Sequence, residues 1–184
     1  MGPAKKGQAL KVLLGVLSAV AVMPIHAEDL TPPWNQMETQ GPWTYGNPEM
    51  QGDSTSHIAI TRAGESSDVW FSFACAKDLR IFASILDQSG IPASIGDDIS
   101  VDIQLPNITK LTTSAKKVSD TIMAFNPDLS EKLFIYAIYE KALHITFSNS
   151  KLGTRTYTFQ LQPNNVAFQR IIDACPPQHP DQNL

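Results

Sequence analysis

The seven residues from Val69 to Cys75 read VWFSFAC. Large apolar residues take every second position, so an extended strand turns four of them to one face: Val69, Phe71, Phe73 and Cys75. A strand with one face on a core and the other toward solvent is typical of antiparallel sheets. The short connection 76–78 and the alternating run 79–86 that follows it predict a hairpin.

The same period of two recurs along the chain. It predicts further strands over 56–62, 99–105, 143–148 and 157–161. In the first of these, Ile58 and Ile60 are placed on one face and His57 on the solvent side. A weaker strand is predicted over 118–125, where Asp120 shares a face with apolar residues.

Two segments favour helices. Asn126 and Pro127 supply a cap and a first-turn proline for a helix over 128–140, although its apolar pattern leaves part of it open to a strand interpretation. The last helix is capped by Asn164 or Asn165. Its apolar stripe has i, i+3, i+4, i+7 spacing: Phe168, Ile171, Ile172 and Cys175.

Both cysteines of the chain, Cys75 and Cys175, are predicted to project toward the core from different elements. In an oxidising compartment this arrangement predicts a disulfide; two buried thiols are the alternative in a reducing one. The fold expected is mainly β: an antiparallel β-sandwich with a C-terminal helix packed on it, clamped by Cys75–Cys175, and one further helix near 128–140.

The N-terminus predicts secretion. Lysines precede an apolar run that is too short for a spanning helix, and Ala27 offers a small residue at a cleavage point, so residues 1–27 are predicted to be a signal peptide, with an uncleaved anchor as the alternative. We expect an extended arm over 28–42, a single β-sandwich domain over 43–175 and a flexible tail over 176–184. The location predicted is periplasmic or secreted, with no membrane span after cleavage.

Charge limits the partners. The chain carries 14 basic and 18 acidic residues, and the leader removes three lysines and no acid, leaving 11 against 18, a net charge of −7. A nucleic-acid partner calls for a clustered basic face and is not expected. A protein partner is expected, of unidentified kind.

The residues suited to catalysis or metal binding form no recognised motif. His57 and His144 are both predicted on the solvent side of their strands, and no metal or other cofactor is expected. Asp97 and Asp98 lie in a turn, with Asp102 on the next strand. Three nearby carboxylates could chelate a cation or act as an acid–base pair, whereas a solvated acidic turn is the simpler interpretation. No catalytic residue is predicted.

Trp70 and Phe82 are predicted to point away from the core on paired strands. Exposed aromatic residues on one sheet face would form a surface for binding. The alternative is that the arm or the helix near 128–140 covers this face and gives the sheet a second core.

The order of these elements resembles a family of small periplasmic proteins of the invasion-associated locus B type. The residues that carry the resemblance are the early tryptophan segment 41–45, the strand ending in Cys75, the strand 79–86 and the closing segments 156–161 and 171–175. A similar pattern occurs in periplasmic accessory proteins of type VI secretion loci. The resemblance implies a β-sandwich, a periplasmic or secreted location and no established catalytic site.

The function expected is therefore non-enzymatic surface binding outside the cytoplasm, in host-cell association, invasion or envelope assembly. Two alternatives stay open. An inhibitor, accessory or immunity protein of a secreted system would use a protruding loop such as 88–98, and a hydrolase would use Asp97, Asp98 or a histidine.

Overall fold

The computed structural model describes residues 37–46, 49–50, 54–55, 57–75, 80–106, 108–149 and 153–175. The predicted leader, most of the predicted arm, the connection 76–78 and the tail 176–184 lie outside them. The strands are β1 (Glu38–Gln40), β2 (Trp43–Gly46), β3 (Glu49–Met50), β4 (Ser54–Thr55), β5 (His57–Arg62), β6 (Val69–Cys75), β7 (Ile81–Asp87), β8 (Asp98–Leu105), β9 (Ile108–Lys117), β10 (Ile122–Ala124), β11 (Ala142–Asn149) and β12 (Gly153–Gln160). The helices are α1 (Pro127–Tyr139) and α2 (Val166–Ala174).

Ten of these strands form one antiparallel sheet, in the order β1-β2-β5-β6-β7-β10-β9-β8-β11-β12, while β3 and β4 pair separately. The sheet folds back on itself, because Phe71 of β6 contacts Phe159 of β12 with ring centroids 5.4 Å apart. A bridge between Ala63 and Phe159 brings the end of β12 to the turn after β5 without closing the sheet. The mainly β, antiparallel architecture is confirmed, and its two layers are parts of one bent sheet.

The hairpin predicted from VWFSFAC is confirmed. β6 and β7 pair antiparallel from Val69↔Asp87 to Cys75↔Ile81. Val69, Phe71, Phe73 and Cys75 are all buried on the inner face, as the period of two requires.

An aromatic cluster fills the space inside the bent sheet. Trp43 is fully buried, stacks on Phe73 at 6.0 Å and meets the edge of Phe168 at 4.7 Å. Its indole N–H donates to the carbonyl of Gln160 at 3.1 Å, which satisfies the polar atom that burial would otherwise leave unpaired. Strands β2, β6 and β12 and the helix α2 are thereby packed around one residue.

Both predicted helices are confirmed. Asn126 caps α1 by accepting a hydrogen bond from the Leu129 N–H at 2.9 Å, and Pro127 begins the helix. The segment with the ambiguous apolar pattern is helical from Pro127 to Tyr139, and Leu133 and Phe134 are apolar because they are buried in the main core. Asn165 caps α2 through the Ala167 N–H at 2.9 Å.

The predicted disulfide between Cys75 and Cys175 is confirmed. Both cysteines are buried, and their Cα atoms lie 5.7 Å apart. The bond joins the end of β6 to the residue that follows α2, so the helix is fixed on the sheet at its C-terminal end.

Several details differ from the sequence prediction. The strand predicted over 118–125 is limited to β10, Ile122–Ala124. Strand β9 was not predicted, because its residues carry no apolar alternation; pairing with β8 and β10 holds it in the sheet. Strand β5 buries both faces: Ala59 faces the main core, whereas Ile58 and Ile60 form a second apolar cluster with Leu86 and Ile122 on the outer face. Alternation alone marks one face and cannot show that the other is also covered.

The sheet has two halves. The helix-side half comprises β1, β2, β5, β6 and β7, against which α1 and α2 make their main contacts. The hairpin half comprises β8, β9, β11 and β12, and the short strand β10 lies between the two halves. A guanidinium N–H of Arg155 on β12 donates to the buried carboxylate of Asp87 on β7 at 3.1 Å and ties the halves together.

Candidate functional site: a polar groove on the hairpin half

The outer face of the hairpin half holds a concave polar site, here called the polar groove. Its cavity volume is about 350 Å³, and the described residues that line it are Asp102, Gln104, Lys110, His144, Thr146 and Thr156. They come from four neighbouring strands that are distant in sequence.

Strand register explains why these side chains converge. Asp102 of β8 lies opposite Thr146 of β11, which lies opposite Thr156 of β12. His144 lies opposite Gln104 in the adjacent outward-facing row. Because the residues between them, such as Ile103 and Ile145, are buried in the core, the polar set is turned outward.

Hydrogen bonds hold the groove in shape. The hydroxyls of Thr146 and Thr156 lie 2.9 Å apart and bond to each other across the strands. The Asp102 carboxylate accepts from the Thr112 hydroxyl at 2.7 Å and pairs with the Lys110 ammonium at 2.7 Å. The side chains are therefore oriented before any ligand arrives.

These same bonds set the charge state of Asp102. Hydrogen bonds from Lys110 and from Thr112 lower the pKa of the Asp102 carboxyl below its ordinary value. The group is ionised at neutral pH and is a weak base there, so it is poorly suited to move a proton.

His144 is held at the rim by Thr158, whose hydroxyl lies 3.1 Å from the imidazole Nδ1. Among the described residues, its Nε2 atom has no hydrogen-bond partner. The Thr158 N–H donates to the Glu65 carboxylate at 2.8 Å, and the hydrogen bonds with Thr158 are the main reason that the pKa of Glu65 is lowered. This contact joins the turn after β5 to β12.

Asp97 and Asp98, the other carboxylates considered as candidates for catalysis or cation binding, do not line the polar groove. Asp97 accepts from the Ser94 N–H at 2.8 Å and so shapes its own turn, and Asp98 faces Lys116 across β8 and β9. Within the part of the chain that the structure describes, no group of three or more His, Cys, Asp or Glu residues could hold a metal ion.

The prediction that His57 lies on the solvent side of its strand is wrong. His57 is half-buried, and its Nδ1 lies 2.6 Å from the Tyr45 hydroxyl. Burial is the main cause that raises the pKa of Tyr45 above its ordinary value. Cross-strand pairing places His57 opposite the disulfide residue Cys75, on the helix-side half and apart from the groove.

Trp70 and Phe82 are half-buried on the outer face of the helix-side half. Trp70 packs against the second apolar cluster, and the Arg62 guanidinium lies 4.3 Å from its ring centroid. Helix α1 does not cover this face, because its buried residues belong to the main core on the other side of the sheet. Binding by Trp70 and Phe82 stays a prediction.

Comparison with solved structures gives a likeness of fold. The crystal structure of invasion associated protein B from Bartonella henselae matches with a TM-score of 0.50 at 13% sequence identity, over 75% of this chain and 96% of that one. No protein-family model matches the sequence, and no curated protein matches it either. At this identity the likeness shows a shared fold.

Proposed function

We propose that this chain is a non-enzymatic binding protein that works outside the cytoplasm and engages its partner through the polar groove. The fold neighbour is described as invasion associated, which supports host-cell association as the process. The resemblance read from the sequence points the same way. Envelope assembly is the second process proposed for a protein in this location.

The observation that carries the proposal is the bonding inside the groove. Asp102 is ionised and paired with Lys110, and the Thr146 and Thr156 hydroxyls bond to each other. Such an arrangement suits recognition, since the groups are oriented in advance and their remaining hydrogen-bonding capacity faces outward. The lowered pKa of Asp102 makes this carboxylate a weak general base at neutral pH, which supports a role in recognition.

The proposed location rests on the disulfide and the predicted leader. A buried Cys75–Cys175 bond fits an oxidising compartment. Residues 1–27 are proposed to be removed on export, leaving the domain that begins near residue 43. Among the described residues, neither helix is long and apolar enough to cross a membrane.

One observation favours the inhibitor alternative. The loop 88–98 presents Ile95 with 65% of its surface exposed. The buried ammonium of Lys117 donates to the carbonyls of Ile91 and Ala93, at 2.8 and 2.7 Å, and so holds this loop from behind. A rigid loop with an exposed apolar residue is suited to insertion into a pocket of another protein.

A capture experiment with three variants separates these functions. The oxidised protein from residue 28 onward is immobilised, and envelope, secreted and host-surface fractions are passed over it, with mass spectrometry of the eluate. The groove variant is Thr146→Val with Thr156→Val, and its matched control is Thr39→Val with Thr44→Val, another exposed cross-strand pair, with hydroxyls 3.1 Å apart.

We expect a retained component that the groove variant loses and the control variant keeps. If a component is still retained by the groove variant but not by Ile95→Asp, the loop 88–98 is the binding site, and the inhibitor function is favoured. Turnover of a retained component, abolished by His144→Ala, would establish an enzyme instead.

A further inference from the structure

The six groove residues carry almost no net charge. Asp102 supplies one carboxylate and Lys110 one ammonium, and these two groups are paired at 2.7 Å. An anionic ligand that approached Lys110 would meet the Asp102 carboxylate beside it, and a cationic ligand would meet Lys110. Charge therefore disfavours both kinds of ion.

The groove residues keep both hydrogen-bond donors and hydrogen-bond acceptors that are free to contact a ligand. After the Thr146–Thr156 bond, the hydroxyl pair keeps one donor and several acceptor positions, and the Gln104 amide offers both kinds of group. Lys110 keeps donors and Asp102 keeps acceptor sites beyond the bonds they make. Free donors and free acceptors are thus both present in the same groove.

A ligand that matches this surface must itself donate and accept at neighbouring atoms while carrying no charge. Sugar hydroxyls do this. The cavity volume of about 350 Å³ is near the lower end of the range of small-molecule sites, about 300–1,000 Å³, which fits one or two sugar rings.

We infer that the polar groove binds a neutral saccharide, one or two rings in length, through Asp102, Gln104, Lys110, His144, Thr146 and Thr156. This inference rests on the proposed function and names the ligand class of the same groove. Among the described residues, the lining has no Trp, Tyr or Phe on which a sugar ring could stack, so each site binds weakly and repeated units on a glycan supply avidity.

Nuclear magnetic resonance tests the inference directly. The ¹⁵N-labelled, oxidised protein from residue 28 onward is titrated with the methyl glycosides of glucose, galactose, mannose and N-acetylglucosamine, up to about 100 mM. The charged comparison probes are glucose 6-phosphate and the methyl glycoside of N-acetylneuraminic acid. At least one neutral glycoside is expected to shift the amide signals of residues 102, 104, 144, 146 and 156, with a Kd of about 1–10 mM.

The variants give the inference its specificity. Thr146→Val with Thr156→Val keeps the shape and removes two hydroxyls, and it should weaken the saccharide at least about tenfold. The control pair Thr39→Val with Thr44→Val should change the affinity less than about twofold. Raising sodium chloride from about 0.05 to about 0.5 M should also change it less than twofold, because neither partner contributes a net charge.

Absence of shifts with every neutral glycoside, or tighter binding of a charged probe at the groove, would overturn the inference. If the capture experiment still shows groove-dependent retention in that case, the proposed function stands and only the saccharide is rejected. Loss of groove-dependent retention together with the absence of shifts rejects both.

Discussion

Both halves of the sheet are antiparallel, but their outer faces carry different residues: apolar ones on the helix-side half and polar ones on the hairpin half. On the helix-side half, outward positions hold Ile58, Ile60 and Leu86, each about 1% exposed. On the hairpin half, the outward positions of β8, β11 and β12 hold Asp102, His144 and Thr156 around an open groove. The helix-side half therefore carries a second apolar cluster on its outer face, whereas the outer face of the hairpin half carries an open polar groove.

The helices lie on the inner side of the sheet, since the buried residues of α1 and α2 belong to the main core. Both α1 and α2 make their main contacts on the helix-side half, and the disulfide fastens α2 there. The hairpin half is held by long ladders, such as the eight pairs between β11 and β12, and by the core beneath it. Its outer face can therefore vary without loss of packing.

The largest expected effect tests the clamp on the helix-side half. Replacing both cysteines, Cys75→Ala with Cys175→Ala, opens a loop with a sequence separation of 100 residues. The free energy of unfolding should fall by about 3–5 kcal/mol, because the unfolded chain regains the entropy that the bond removes. Urea unfolding measures this loss.

Hydrogen exchange locates the effect of that double variant. The amides of α2 should lose protection first, and those of β11 and β12 should keep theirs. Equal loss in α2 and β11 would show that the two halves unfold together and that the clamp is not local.

A matched pair of truncations compares the two outer faces directly. Leu86→Ala removes a buried side chain of the second apolar cluster and should cost about 2–4 kcal/mol. Thr146→Ala, on the outward face of the hairpin half, should change the free energy of unfolding by less than about 0.5 kcal/mol. Urea midpoints of both variants supply the measurement. Similar costs for the two would refute the contrast between the faces.

The smallest effect concerns Glu65, which joins the turn after β5 to β12. Its pKa in the folded protein lies below the ordinary 4.5, so its contribution is complete above about pH 4.5 and is lost as the pH falls through the folded value. Because Glu65 is exposed, Glu65→Gln should cost about 0.5 kcal/mol or less at pH 7.

Urea unfolding at pH 7 and at pH 3 measures this difference. The gap between the wild-type protein and Glu65→Gln should shrink on acidification. A gap that widens at pH 3 would give the opposite sign and exclude the lowered pKa as its cause.

The saccharide titration described above addresses the hairpin half alone. Together with the truncations it separates residues that hold the fold from residues that present a surface. Thr146 and Thr156 should matter for binding and not for stability, whereas Leu86 should show the reverse.

Much of the fold was predictable, because local chemistry determines it. The alternation in VWFSFAC identified the β6–β7 hairpin and its inner face, and Asn126 with Pro127 identified the start of α1. The pairing of Cys75 with Cys175 followed from their shared orientation toward the core. Strand β9 was missed, since Ser, Thr and Lys residues carry no apolar period and its strand state depends on its neighbours.

The sequence by itself determined both helices, most of the long strands with their inner faces, and the disulfide, because residue periodicity and capping act over a few residues. Only the tertiary structure decided that Ile58 and Ile60 lie in a second core and that His57 bonds to Tyr45. The polar groove was equally hidden. Asp102 and Thr146 are 44 positions apart in the chain, and strand register, which is fixed by the packing of the whole sheet, brings them side by side.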